Sequence, residues 1–350
     1  MKQLGGITIN KEGNMIRTAK KSDERALRLI WQEAFEDEIE YEDLAWSRFD
    51  ALSRLTVATD DEDIPVSLAC LYDSGGLQKD GETSRFPCIY GVGTRKESRG
   101  HGYAMEAIDE LLTWCRQQKI SSVMIAPAEE SLFGLYRRRF GFEPYFTVAE
   151  MQIDIHSDHP NEIPSKSDVP QAGEKKLTPV SAKQYGKMRE EFLKHYAKEQ
   201  NIPYVTMSEE QLLYEQELLN LADGSFFCES FEGPKDGMLL GAYEQTEDGL
   251  FFPELLIPPG KTEQIMSRIR PYSGGKNARA YLPEFVVTDA AESPCISIRA
   301  YAMRLCLDEG REDGNEDNHE NNHDGSDFET GIADEEITGR NHAYAGFIFD

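Results

Sequence analysis

The chain has 350 residues, 39% of them hydrophobic and 29% charged, a composition ordinary for a globular protein of about two domains. Its formal charge is −27, from 37 Lys and Arg against 64 Asp and Glu. That balance argues against a nucleic-acid binder, whose phosphate contacts need Lys and Arg, and disfavours an anionic membrane surface. It would favour a cationic ligand wherever the charge lines a cleft.

No apolar run nears the ~20 residues that a bilayer span needs. The opening MKQLGGITINKEGN lacks the apolar stretch of a signal peptide. Cys70, Cys88, Cys115, Cys228, Cys295 and Cys306 are scattered without a CxxC pair. This suits free thiols in a reducing compartment, and so a cytoplasmic protein, better than a disulfide framework or a zinc site.

Residues 1–14 read as a tail. Ser22 is placed to cap a helix, with Asp23 and Glu24 in its first turn. Leu27, Ile30, Trp31 and Ala34 then recur at helical spacing. Strands are expected over Leu55–Thr59 and Val66–Tyr72, divided by an acidic turn at Asp60–Asp63, with a polar loop over Asp73–Arg85. A third strand, Cys88–Thr94, runs into RKESRGHGYA. The helix Tyr103–Gln117 follows, with Met105, Ile108, Leu111, Leu112 and Cys115 on one face. A strand at Ser122–Ala126, a helix near Leu132–Arg138 and a strand over Tyr145–Ile155 close the first half.

Residues 156–175, rich in Pro, Ser and charge, read as a linker. The second half has helical patterns at Ser181–Lys198 and Ser208–Ala222. Strand-like runs follow at Ser225–Ser230, Met238–Glu244 and Leu250–Ile257, then a short helix at Thr262–Arg270 and a strand at Ala278–Leu282. The order matches the first half: helices, a three-strand meander, then helix and strand. We read it as a diverged repeat of about 150 residues.

Between Asp308 and Glu336 lie 13 carboxylates and one Arg. Such a segment cannot bury enough apolar surface to offset its ordering entropy, so residues 308–340 read as a disordered acidic insertion. The apolar segments Ile296–Leu307 and Ala343–Phe349 on either side are expected to pair as a hairpin.

Arg99-Gly-His-Gly-Tyr-Ala104 carries the chemistry. It lies between a strand and a helix, where free N–H groups and the helix dipole make an anion site that glycines let a ligand approach. Arg99 adds positive charge suited to phosphate. A dinucleotide fingerprint fails, because Met105 stands where the third glycine is needed. A P-loop at PPGKT (258–262) fails because Leu255 stands where its first glycine is needed.

With Arg99, Gly102 and Ala104 filling [RQ]-x-x-G-x-[GA], the chain resembles the GNAT family of acyl-CoA N-acyltransferases. IYGVGT and SVMIAP resemble that family's fourth and fifth strands, and LYRRRFGFEPYF resembles its Tyr-bearing helix ending in Gly-Phe. The first-half resemblance covers about Met15–Ile155. The whole chain is similar to a two-lobe subgroup, the enhanced intracellular survival acetyltransferases. The resemblance implies an α/β fold of two tandem GNAT-like lobes on mixed sheets. Residues 15–155 would be the catalytic lobe. Residues 176–350 would be a degenerate lobe that has no R-x-x-G-x-G/A, binds no CoA and walls off the acceptor site.

The activity implied is direct transfer of an acetyl group from acetyl-CoA, with no metal, to a primary amine of a small molecule or a lysine. The acidic balance hints at a cationic acceptor. Oligomeric state is open. Gly91, Val92, Gly93 and Thr94 would polarise the thioester carbonyl. Arg99, Gly100, His101, Gly102, Tyr103 and Ala104 would hold the pyrophosphate, His101 in a variable slot. The family's general acid is a Tyr four residues before the Gly of Gly-Phe. That position is Arg137 here, and Tyr136 lies five before Gly141, so Tyr136 is the candidate acid. Asp350, the last residue, is the candidate base, because the subgroup brings its terminal carboxylate to the site. Glu33, Glu36, Asp37 and Glu40 border the acceptor region but read mostly as a solvated face. Trp31 and Trp46 read as core by default, with a pocket wall as the alternative, and Cys115 reads as core. His319 and His323, and a broken calcium-loop pattern ending at Gly331, carry no site. A catalytically silent acyl-CoA-binding or scaffold protein is the alternative.

Overall fold

The computed structural model describes residues 2–4, 7–9, 15–73, 75–153, 177–230, 237–269, 272, 277–287 and 295–307. The expected linker and the acidic insertion with its flanking Ala343–Phe349 lie outside the described residues.

Strands β1 (Lys2–Leu4), β2 (Ile7–Ile9) and β3 (Met15–Thr18) start the chain. The segment read as a tail therefore adds two strands to a sheet edge, helped by the β-branched run Ile7-Thr8-Ile9. Helix α1 (Glu24–Phe35) buries Leu27, Ile30 and Trp31. Its entrance corrects the Ser22 expectation. Asp23 accepts from the Lys20 N–H at 2.7 Å and from the Arg17 guanidinium at 2.7 Å, and Asp23 and Arg17 are both buried.

Helix α2 (Ile39–Leu52) follows, then the antiparallel meander β4 (Ser53–Thr59), β5 (Pro65–Tyr72) and β8 (Cys88–Thr94). The loop expected before β8 holds a hairpin, β6 (Gly76–Lys79) and β7 (Glu82–Arg85). Helix α3 (Tyr103–Gln117) crosses over to β9 (Ser122–Ile125), which is parallel to β8. Helix α4 (Glu130–Phe140) leads to β10 (Glu143–Ile153). Leu68 and Cys70 of β5 pack on α1, whereas Ala69 and Leu71 pack on α3. This period-2 alternation gives the sheet one helix layer on each face.

The second lobe begins with α5 (Ala182–Glu199), capped by the Ser181 hydroxyl accepting from the Gln184 N–H. Strand β11 (Tyr204–Thr206) and α6 (Glu209–Leu221), capped by Ser208, come next. The meander β12 (Ser225–Ser230), β13 (Met238–Thr246) and β14 (Gly249–Leu256) is followed by α7 (Thr262–Ile269) and by β15 (Asn277–Leu282), parallel to β14. The element order repeats that of the first lobe.

The Ala343–Phe349 half of the expected hairpin lies outside the described residues; the other half, β16 (Ile296–Cys306), is the last described strand. It pairs antiparallel with β9 through Met303–Cys306 and with β10 through Ile296–Arg304. Strand β10 in turn pairs antiparallel with β15. Each lobe thus hands its final long strand to the other, and among the described residues a single 13-stranded sheet runs β1-β2-β3-β4-β5-β8-β9-β16-β10-β15-β14-β13-β12. Further ties cross the lobes. β11 pairs with β6, Tyr72 packs on Tyr214 with centroids 6.3 Å apart, and Arg48 bonds Glu217 at 2.6 Å.

Candidate active site between the lobes

Strand β8 pairs with β9 only at Cys88↔Met124 and Ile89↔Ile125, and beyond these the two strands diverge. The register of β8 on β5 slips between Gly93 and Tyr90, so Gly91 and Val92 together oppose one residue, Ala69. This is a β-bulge, which bends the strand and opens its edge. Gly91 has φ +61°, and a Cβ on it would come within 2.6 Å of the Trp31 ring. Only glycine gives both the bend and the close ring. Among the described residues, the β9 side of β8 has no strand neighbour from Tyr90 to Thr94.

The loop after β8 ends at the start of α3. Gly100 and Gly102 have φ +83° and +81°, and a Cβ on either would meet nothing within 4 Å, so both lie on the open side of the turn. The N–H groups of Tyr103, Ala104 and Met105 precede the first intrahelical bond, from the Glu106 N–H to the Gly102 carbonyl at 3.1 Å. They are therefore free for an anion at the positive end of a 15-residue helix. Arg99 donates to the Thr94 carbonyl at 3.2 Å and the Glu33 carbonyl at 2.9 Å, stapling the loop to β8 and α1. His101 turns Nδ1 toward the Ser98 and Arg99 carbonyls and stacks on Tyr103, 5.9 Å between centroids. Glu33 accepts from the Lys96 N–H at 2.8 Å and from Arg95 at 2.9 Å. Those bonds hold its carboxyl below the usual carboxylate range, the Lys96 N–H being the largest cause. Its role is to fix this loop.

A cavity of about 550 Å³ opens on the divergence of β8 and β9 and reaches between the lobes. Trp31, Asp37 and Tyr41 line it from the α1–α2 corner, Tyr136 from α4, and Tyr214 and Leu218 from α6. Asp37 accepts from the Trp31 indole N–H at 2.8 Å, which fixes its carboxylate against the wall. Burial, with Glu244, Glu38 and Asp37 close by, pushes the Tyr41 phenol upward. Asp37 and Glu244 are the carboxylates facing the cavity among the described residues. Glu36 and Glu40 are exposed and stand away from it.

Tyr136 and Arg137 point differently. Arg137 is at the surface and pairs with Glu143 at 3.2 Å. Tyr136 is 5% exposed, packs beside Phe140 and Phe142, and faces the cavity. Burial pushes its phenol above the ordinary range, so it stays protonated. Gly141, with φ +82°, closes α4 and accounts for the Gly of the Gly-Phe element. Asp350, His319, His323 and Gly331 lie outside the described residues. Cys115 is buried in the core. Trp31 is buried too, yet its ring forms cavity wall.

The second-lobe wall was not legible beforehand. Glu244 on β13, Phe251 on β14 and Arg279 on β15 are cross-strand neighbours in one row. Tyr281 on β15 and Arg299 and Tyr301 on β16 continue it. One signal was present: Arg-Ala-Tyr occurs at 279–281 and again at 299–301, placing Arg and Tyr on one face of each strand. Among the described residues no group of three or more His, Cys, Asp and Glu could hold a metal ion, and no helix is long and apolar enough to cross a membrane.

Residues 15–145 match the family described as the acetyltransferase (GNAT) domain. The fold is similar to that of a probable N-acyltransferase from Enterococcus faecalis V583, with TM-score 0.60, 17% identity, and coverage of 84% of this chain and 72% of that one. It is similar to a GCN5-related N-acetyltransferase from Kribbella flavida, with TM-score 0.59, 15% identity and coverage of 84% and 72%. It is also similar to Eis1 from Mycobacterium abscessus, with TM-score 0.54, 14% identity and coverage of 84% and 74%. No curated protein is significantly similar in sequence.

Proposed function

We propose that the protein, whose residues 15–145 match the acetyltransferase (GNAT) domain family, transfers the acyl group of an acyl-CoA, acetyl-CoA first among them, to a primary amine in the cavity between the lobes. The observation that carries the reading is the succession of two features: a bulged strand edge at Gly91–Thr94, whose Gly91 and Val92 line a cavity with a buried tyrosine, and after it an open helix N-terminus at Gly102–Met105.

In this reading the N–H groups at the start of α3 bind the pyrophosphate, with Gly100 and Gly102 leaving room for it. The Gly91–Thr94 edge holds the pantetheine chain and aims backbone N–H groups at the thioester carbonyl, whose oxygen gains negative charge as the amine adds. Asp37 and Glu244 draw in the ammonium form of the acceptor and take up the proton that must leave before nitrogen can attack. The C–N bond forms and the C–S bond breaks. Tyr136 gives its proton to the departing thiolate and regains one from the proton released by the amine. The proposed proton acceptors are thus Asp37 and Glu244. Asp350, the base suggested by family resemblance, remains a candidate.

The test is free-thiol release from acetyl-CoA by the full chain, with and without a panel of primary amines. Amine-dependent release is expected. Binding of acetyl-CoA with no release for any amine would favour the silent CoA-binding alternative instead.

A further inference from the structure

The cavity has two ends of opposite charge. Asp37 and Glu244 mark one end, beside Trp31 and the bulge at Gly91. The other end is built by the second lobe. Arg279 and Arg299 both lie over the ring of Tyr281, at 5.4 and 5.0 Å from its centroid. Arg279 also stacks on Phe251 at 4.2 Å. Two like charges sharing one ring repel each other, and among the described residues only one of them has a carboxylate partner. Arg299 bonds Glu150 at 3.1 Å and the Tyr281 hydroxyl at 2.8 Å. Arg279 has no carboxylate within ion-pair distance among the described residues, although it faces the cavity. The aromatic stacks hold its planar fork in place before any ligand arrives, which lowers the ordering cost of a bidentate contact.

A wall with one guanidinium that has no carboxylate partner among the described residues fits a group of single negative charge, and a carboxylate matches the fork in shape. Glu244 and Arg279 occupy one cross-strand row with Phe251 between them. Two strand spacings separate their backbones by roughly 10 Å. That is near the span from amine to carboxylate in an extended ω-amino acid.

We propose that the acceptor is an amine that also carries a carboxylate, its amine lying by Asp37 and Glu244 and its carboxylate bound by Arg279 and Arg299. The inference rests on the transferase reading for the identity of the amine end, and its test reads binding apart from turnover. The full chain, saturated with CoA, is titrated calorimetrically with lysine and 6-aminohexanoate, and with their counterparts lacking the carboxylate, cadaverine and hexylamine.

The amino acids are expected to bind roughly ten- to hundredfold more tightly than the matched amines. Arg279→Gln is expected to erase most of that ratio, and Arg279→Lys to restore part of it. Amines binding as tightly as the amino acids would overturn the proposal. So would a ratio untouched by Arg279→Gln, or no binding in either series. Thiol release with the same compounds separates the two claims. Carboxylate-selective binding without release sinks the transferase reading alone, and release without selectivity sinks this one alone.

Discussion

Each lobe has a three-strand meander, a helix crossing over to a parallel strand, and a turn where strand enters helix. The two turns are built from different chemistry. In the first lobe the turn offers free N–H groups at Tyr103–Met105 and open space at Gly100 and Gly102. In the second, Pro258 and Pro259 have no N–H to offer. The Gly260 N–H is bonded to the Val286 carbonyl at 3.3 Å, and Val286 is fully buried. The second turn is therefore filled by its own chain. A shared topology yields one open turn and one sealed turn because a few backbone donors are free in one and removed or paired in the other. The second lobe's contribution lies instead on its sheet face, where Glu244, Arg279 and Tyr281 meet the first lobe's cavity.

The contrast can be broken at several points. The largest effect is expected in the sealed lobe. Glu254 is fully buried, bonds Arg189 at 2.9 Å and accepts from the Tyr185 hydroxyl. Glu254→Ala would strand a buried guanidinium, at a cost of about 3–5 kcal/mol. Denaturant unfolding should show that loss, while acetyl-CoA affinity measured well below the midpoint stays near the parent's.

Next comes Tyr136→Phe, expected to lower kcat by roughly ten- to a hundredfold with little change in acetyl-CoA affinity. The pH–rate profile checks the cause. A phenol raised by burial keeps its proton to higher pH than an exposed tyrosine. The parent's activity should hold through pH ~10, the ordinary tyrosine value, and fall only above it. In Tyr136→Phe the fall assigned to this group should vanish.

The smallest effect is expected at the seam between the lobes. Arg48→Ala removes the bond to Glu217, but these side chains are 35% and 42% exposed. After solvent screening the loss should stay below about 1 kcal/mol. A much larger drop in unfolding free energy would mean that the seam depends on this pair and not on the exchanged strands β10 and β16.

What the sequence revealed depended on how local the cause was. The α1 stripe and the helices starting at Ser181 and Ser208 have causes within a few residues of what they specify, and all three were legible. So was the Gly-rich turn after β8. Helix α2 was missed because Glu42, a buried carboxylate bonded to Arg28 at 2.9 Å, interrupts its apolar face. The β6–β7 hairpin was missed because β7 (ETSR) is wholly exposed and carries no alternation. The pairing of β16 with β9 and β10 was not legible because strand propensity does not name a partner. Its neighbours β9 and β10 lie more than 140 residues away along the chain. The second-lobe wall depended on that same pairing, so Arg299 and Tyr301 could not be placed beside Arg279 and Tyr281 in advance.

The central claim, one donor site in the first lobe beside a sealed copy in the second, is tested most directly by calorimetric titration with acetyl-CoA. Three proteins are compared: the parent, Gly102→Glu and Lys261→Glu, the last altering the matching turn of the second lobe. The account predicts one acetyl-CoA per chain for the parent and an unchanged isotherm for Lys261→Glu. For Gly102→Glu it predicts at least roughly a hundredfold loss, because a side chain at φ +81° is strained and its carboxylate opposes a pyrophosphate. Two sites per chain, or affinity lost in Lys261→Glu and kept in Gly102→Glu, would contradict it.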